Sequence, residues 1–362
     1  MIREKRIAIV LPPLLFLAAC AGSATPALED VSARDLAESA TAVSEEGSPN
    51  SEDKAADETI VASFSPVRND PVVSRGSEGD WDSDVMRFPY VIEHKEQFHM
   101  FYEARAGIGE SFLAIGYASS EDGVNWTKSE QNPILEGDGT GFDAQSVARP
   151  VVLVGDDGTW IMYYTGADSE EREAIGLAIA SSSTGPWERM DDAVVESGPL
   201  GAWDHELIIP DQIIQISGGY RLYYSGRDAS GGSAMIGLAE SADGVTWKKF
   251  NDPSNDETNE LFAESDPILR NGSGWDRSAA WTPNILASDG RWFMVYNAFG
   301  NLGAAFSDDG IHWRKFEANP FLRDSSLFHP FILARDDGTY WIYYRDLSDD
   351  AIHLLEGTLE FE

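Results

Sequence analysis

The 362-residue chain carries 26 Lys and Arg against 62 Asp and Glu, a formal charge of −36. So acidic a surface repels nucleic acid and anionic lipid, and nucleic acid is excluded as a partner. One cysteine excludes an intramolecular disulfide framework. The six histidines include no His-Glu-x-x-His pattern, which argues against a zinc site, and no metal is expected.

In chain order, residues 1–20 read as a lipoprotein signal peptide. Arg3, Lys5 and Arg6 give a positive start, and Ile7 to Ala19 give an apolar core too short for a comfortable membrane span. The core ends in Leu17-Ala18-Ala19-Cys20, a lipobox-like sequence, so Cys20 is expected to carry lipid and hold the protein on a membrane. Ala21 follows in place of Asp, so nothing here resembles an inner-membrane retention signal. The expected location is a bacterial cell envelope: outer membrane, periplasmic face or cell surface. Residues 21–60 are rich in Ala, Ser, Glu and Asp and lack aromatics, which predicts a disordered acidic tether.

Residues 61–362 contain one module five times. Each copy opens on a Pro in an apolar run: Phe88-Pro89, Arg149-Pro150, Ile209-Pro210, Thr282-Pro283 and His329-Pro330. A second strand follows, ending in Tyr102, Tyr164, Tyr224, Tyr296 or Tyr344. Third strands follow in Ala114-Ile115-Gly116, Ala174-Ile175-Gly176 and Met235-Ile236-Gly237. A period of roughly 60 residues with four short strands per unit reads as a propeller blade. The fold class is therefore all-β, a five-bladed β-propeller. The fifth module lacks an outer strand, and Phe64 to Val73 at the other end supplies the missing piece. An N-terminal strand is thus expected to close the last blade, because an open ring leaves sheet edges unpaired.

Residues repeated around the ring read as structural. Trp81-Asp82, Phe142-Asp143, Trp203-Asp204 and Trp275-Asp276 suit inter-blade packing and an Asp turn. Asp122, Asp243 and Asp309 begin Asp-Gly turns in which glycine takes a positive φ. Residues that break the repeat are the candidates for chemistry. They are Asp84 and Arg87 in blade one, Gln145 and Arg149 in blade two, and His205, Glu206 and Asp211 in blade three. Blade four offers Trp281, and blade five His329. Glu103 and Arg105 end a second strand and reach toward the same mouth, as do Asp168, Arg227, Asp228, Asn297 and Arg345.

The modules, with Phe98-His99-Met100-Phe101-Tyr102-Glu103, Met162-Tyr163-Tyr164-Thr165-Gly166 and the Ser-x-Asp-Gly-x-x-Trp turns, resemble the five-bladed propeller glycosidases of families 43, 32 and 130. The resemblance spans about Phe64 to Glu362. It implies action on carbohydrate by carboxylates lining the axial funnel. The family 32 pattern would place its carboxylates at Phe88, Arg149 and Ile208, and none of these is acidic. Asp211, after Pro210, does match a residue of the blade-three motif.

Three activities stay open. The first is hydrolysis of an extracytoplasmic glycan by a displaced pair, Glu206 as a partly buried general acid and Asp84 as base or nucleophile. Arg87, Gln145, Arg149, Asp211, Trp281, His329, Glu103 and Arg105 would bind substrate. The second is non-catalytic binding of glycan or protein. The third is a phosphate-dependent phosphorylase in which Arg87 and Arg149 hold phosphate. No cofactor is required, although Glu136 to Gly141 and the insert from Asn251 to Asp266 offer oxygens that could take calcium. A monomer is expected.

Overall fold

The computed structural model describes residues 59–106, 112–228, 233–253, 260–288 and 291–361. The signal segment, Cys20 and nearly all of the tether lie outside them. The described residues form five antiparallel sheets set around an axis, the five-bladed propeller that the module count predicts.

The chain begins with β1 (Ile60–Pro66). Blade one is β2 (Val85–His94), β3 (Gln97–Arg105), β4 (Ala114–Ser120) and β5 (Thr127–Lys128). Blade two is β6 (Ser146–Val154), β7 (Trp160–Ala167) and β8 (Glu173–Ala180), with β9 (Glu188–Arg189) and β10 (Val195–Glu196) both on β8. Blade three is β11 (Leu207–Ile216), β12 (Gly219–Arg227), β13 (Met235–Ser241) and β14 (Lys248–Lys249). Blade four is β15 (Trp281–Ser288), β16 (Arg291–Ala298) and β17 (Asn301–Ser307), with β18 (Arg314–Lys315) and β19 (Leu322–Arg323) on β17. Blade five is β20 (Leu327–Ala334), β21 (Tyr340–Asp346), β22 (Ala351–Phe361) and β1.

The closure differs from the expected one by a few residues. Strand β1 pairs with β22 from Ile60↔Phe361 to Pro66↔Leu355, so it starts four residues before Phe64. Phe64, Ala62 and Ile60 pack with Leu355 and Leu359. The expected stretch continues the edge: Val67 and Val72 donate backbone bonds to Leu354 and Ile352, and Val73 bridges Ile352.

Second strands lie between two partners in their own sheet and between two neighbouring blades. This explains why they read as unbroken apolar runs rather than alternating ones. Met162, Tyr163 and Tyr164 have no exposed surface.

The repeated Asp residues stitch each blade to itself, not blade to blade as expected. In blade three, Trp203 stacks on Tyr224. Tyr224 donates to Asp204 at 3.1 Å, and Lys249 of β14 pairs with the same carboxylate at 2.7 Å. Blades two and four repeat this with Tyr164, Asp143 and Arg189, and with Tyr296, Asp276 and Lys315. Blade one keeps the ion pair, Lys128 to Asp82 at 2.6 Å, while its Tyr102 accepts from Asn132. The third-strand glycine leaves room for the stacked rings. A Cβ at Gly237 would sit 2.4 Å from the Tyr224 ring.

The Asp-Gly turns supply the contact between blades. Gly123, Gly244 and Gly310 have φ of 71°, 74° and 74°, as predicted, and each carbonyl accepts a tyrosine hydroxyl from the preceding blade. Tyr343 reaches Gly123 at 2.8 Å, Tyr163 reaches Gly244 at 2.6 Å, and Tyr223 reaches Gly310 at 2.9 Å. Where the next blade lacks such a turn, the corresponding residue is Phe101 or Val295, with no hydroxyl to satisfy.

Candidate functional site at the propeller axis

The Pro of each module sits on a strand that bulges at the axis. Ladder register shifts between Arg87 and Tyr90, Ala148 and Val151, Pro210 and Gln212, Trp281 and Asn284, and Phe328 and Phe331. Four residues before a Pro adopt a left-handed backbone: Phe88 at φ 50°, Arg149 at 54°, Thr282 at 46° and His329 at 49°. Bulky residues in that region cost on the order of 1–3 kcal/mol each, and such strain gathers at functional sites. In blade three the residue displaced from the ladder is Asp211. All five converge on one axial cavity, with Phe88, Arg149, Asp211, Thr282 and His329 in its wall. The cavity holds about 30 Å³, room for water and far below a ligand pocket of roughly 300–1,000 Å³.

Phe88 stacks on His329 with ring centres 3.8 Å apart. The guanidinium carbons of Arg149 and Arg87 lie 5.6 and 5.9 Å from the Phe88 ring centre, within cation–π range. Burial, reinforced by Arg87, Arg345 and Arg149, holds His329 neutral by pulling its pKa well below the usual histidine value. Burial pushes the Asp211 carboxyl well above the usual carboxylate range, against the opposing pull of the Ser225 hydroxyl at 2.6 Å and of Arg149. Thr282 Oγ1 and His329 Nδ1 are buried without a protein partner.

The raised Asp211 value carries a sign that can be tested. Native Asp211 keeps its proton above pH 4, whereas the unfolded chain releases it there. The proton therefore favours the native state below about pH 4, and this contribution is lost as pH rises toward the folded value. Asp211→Asn, which keeps the polar group, is expected to gain stability over the wild type progressively as pH rises from 4 toward the folded value. Urea midpoints across that range would show it, and a pH-independent difference would refute it.

Above this throat stands a crown of charge. Arg149 makes two 2.8 Å bonds to Glu173, and its Nε lies 3.9 Å from Glu103, which is fully buried. Despite desolvation, Glu173 and Glu103 hold the Arg149 guanidinium firmly charged. Arg87 takes the other oxygen of Glu103. Glu173 also accepts from the Ile208 backbone at 3.2 Å. It was not among the sequence candidates, although a signal existed: it stands where blades one and three carry Leu113 and Ala234. Beside the crown, Trp281, Phe299 and Phe328 form an aromatic wall, with ring centres 5.4 and 6.1 Å apart. Phe299 is 48% exposed, again with a left-handed backbone. Trp281 is fixed by a 2.8 Å bond from its indole nitrogen to Asn297.

The remaining candidates occupy other places. Asp84 pairs with Arg105 at 3.0 Å and faces a cavity of about 600 Å³ between blades five and one, beside Arg75, Glu78 and Asp349. Glu206 pairs with Arg227 at 3.4 Å, and its side chain is 43% exposed, not partly buried as expected. His205 bonds to the Gly198 carbonyl, Asp168 pairs with Arg172, and Arg345 pairs with Asp350. Gln145 lines a separate cavity between blades one and two. Asp138, in the candidate calcium loop, closes a turn on Thr140, and the insert after Asn251 lies partly outside the described residues. No cluster of three metal-binding side chains occurs among the described residues.

No family model matches the chain. Two sequences described as uncharacterized proteins of Mycobacterium tuberculosis are each 28% identical over 260 residues, covering 67% of this chain and 80% of their own length. Solved structures match closely in shape at low identity. One, described in a study of family 130 mannoside phosphorylases that contain hydrolases of β-1,2 mannosidic linkages, is 16% identical with a TM-score of 0.62, covering 82% of this chain and 93% of that one. A glycosyl hydrolase from Bacteroides ovatus is 17% identical with a TM-score of 0.60, covering 82% and 93%. Zg3597, a family 117 glycoside hydrolase of the marine bacterium Zobellia galactanivorans, is also 17% identical with a TM-score of 0.60, covering 82% and 90%. The chain thus has the fold of the five-bladed propeller glycosidases, with the charged crown and aromatic wall at its axis.

Proposed function

We propose that the protein is exported, anchored by lipid on Cys20, and recognises an extracytoplasmic glycan at the mouth of its axis. The observation that carries this reading is the aromatic wall of Trp281, Phe299 and Phe328 standing beside the crown of Arg87, Glu103, Arg149 and Glu173. Rings accept the apolar face of a sugar, and fixed charged groups accept its hydroxyls. The fixed Trp281 ring lowers the ordering cost of binding. Recognition without cleavage is supported by the narrow throat and by Phe88, Arg149 and Ile208 at the positions where the family 32 pattern carries carboxylates.

Hydrolysis is the second reading, and Asp211 favours it, because burial that pushes a carboxyl well above the usual carboxylate range suits it to donate a proton. Here Glu206 and Asp84 are the displaced acid and base, and the exposure of Glu206 counts against its role. The two bonds from Arg149 to Glu173 weigh against a phosphorylase, since that guanidinium is already engaged. The test incubates the full chain with neutral oligosaccharides, with and without phosphate, and reads products by mass spectrometry. Recognition alone predicts no product. Cleavage that disappears in Asp84→Asn and Glu206→Gln establishes the hydrolase instead, and turnover only with phosphate establishes the phosphorylase.

A further inference from the structure

The aromatic wall does not stop at the mouth. Trp281 begins β15, the innermost strand of blade four, one residue before Thr282 in the axial wall. Phe299 sits in the two-residue turn between β16 and β17, one strand farther from the axis. Pairing of Trp281 with Asn297 sets that turn level with the mouth. Phe328 of blade five stands beside Phe299. Two residues before Phe328, the Ser326 carbonyl accepts from the Leu347 backbone at 3.0 Å. An apolar track thus runs outward from the axis along the rim of blades four and five.

Three observations mark this track as a contact surface. Phe299 and Leu347 are 48% and 41% exposed, although large apolar side chains gain most by burial. Phe299 also holds an unfavourable backbone. Its φ of 46° and the 80° of Gly300 belong to a turn that suits Asn-Gly better than Phe-Gly. The turn is nevertheless fixed to the Trp281 ring. Asn297 accepts from the Trp281 indole and donates to the Asn301 carbonyl at 3.4 Å. Asn301 in turn donates to the carbonyls of Ala298 and Phe299 at 3.1 and 3.3 Å. Rings held open to solvent in one fixed arrangement are preorganised for contact.

We infer that this track holds the sugars that follow the one at the mouth, so that the ligand is a neutral oligosaccharide, selected over a monosaccharide. The inference rests on the glycan reading above. The first sugar lies on Trp281 beside the crown, and the next lies on Phe299. Asp324 and Ser325 pack against Gly300 and edge the rings. The carboxylate repels an anionic sugar, and the polar edge does not suit an acyl chain.

Calorimetric titration of the full chain with glucose, mannose, xylose and arabinose, and with their tetrasaccharides, tests it. Monosaccharides are titrated in competition with the tetrasaccharide, so that weak binding is read. The tetrasaccharide should bind about tenfold or more tightly than its monosaccharide. Phe299→Asn should bring the two affinities together by weakening the tetrasaccharide about tenfold, the worth of one stacked ring. Its urea midpoint should not fall, because Asn suits the turn. Trp281→Ala should weaken both sugars alike. Equal affinity for the two sugars in the wild type, or wild-type discrimination in Phe299→Asn, overturns the track and leaves recognition at the mouth standing. A fallen midpoint together with lost binding assigns Phe299 to the fold and overturns its contact with sugar. Binding of no sugar overturns both readings.

Discussion

Lys249→Met is expected to destabilise the protein by about 3–5 kcal/mol, the cost of leaving a buried charge without its partner. Asp204 has no exposed surface, and Lys249 is the cation on it at 2.7 Å. The second substitution decides the mechanism. Adding Asp204→Asn to Lys249→Met removes the orphaned charge while keeping an acceptor for Tyr224. Because a buried ion pair costs desolvation in both partners, the double variant should recover most of the loss. Urea denaturation of the wild type, the single and the double variant measures this. A double variant as unstable as the single would show that lost packing of the Lys249 stem, and not charge, is responsible.

A chain lacking residues 1–66 is expected not to fold into a closed ring. Strand β1 makes most of the outer edge of blade five, seven residues in register from Ile60↔Phe361 to Pro66↔Leu355. Without it, β22 presents an unpaired apolar edge, which is a template for aggregation. Phe361 would also lose the strand beside it, although it stays stacked on Phe293 at 4.2 Å. Size-exclusion chromatography should show aggregate, and a synthetic Ile60–Pro66 peptide added during refolding should restore soluble protein. A soluble, cooperatively folding truncated chain would mean that closure of the ring does not depend on this strand.

The fold was legible because its signals are local and repeated. Pro and the run ending in Tyr recur in every module, the Ile-Gly pair and the Asp-Gly turn in three each, and each marks one strand or turn. The start of β1 was less legible. Ile60 and Val61 follow an acidic stretch, and only pairing with the distant Phe361 and Glu360 makes them a strand. Three-dimensional pairing also decided the role of Trp81-Asp82 and its repeats. Spacing showed that they recur, but the Lys or Arg that each Asp holds lies 39 to 46 residues on in the outer strand.

The site was legible in part. Arg149, Asp211 and His329 break the repeat beside a Pro and do meet at the axis. Their meeting follows from the bulge, which carries the residue next to the Pro out of the ladder. Arg87, Glu103 and Trp281 lie at the mouth above them. Asp84, Gln145 and Glu206 stand equally near a Pro in sequence, but they precede the strand and face a seam or open solvent. Glu173 and Phe299 belong to parts of the blade that follow the second strand, where a search centred on the Pro does not look.

The central claim is that glycan binds at the mouth of a propeller whose axis is closed. Calorimetric titration of the full chain with neutral oligosaccharides, beside Trp281→Ala, tests it most directly. The expected result is saturable binding weakened about tenfold or more by removal of the Trp281 ring, as for an aromatic anchor at the centre of a binding surface. Binding of equal strength in the Trp281→Ala variant, or heat from none of the sugars, would contradict the account.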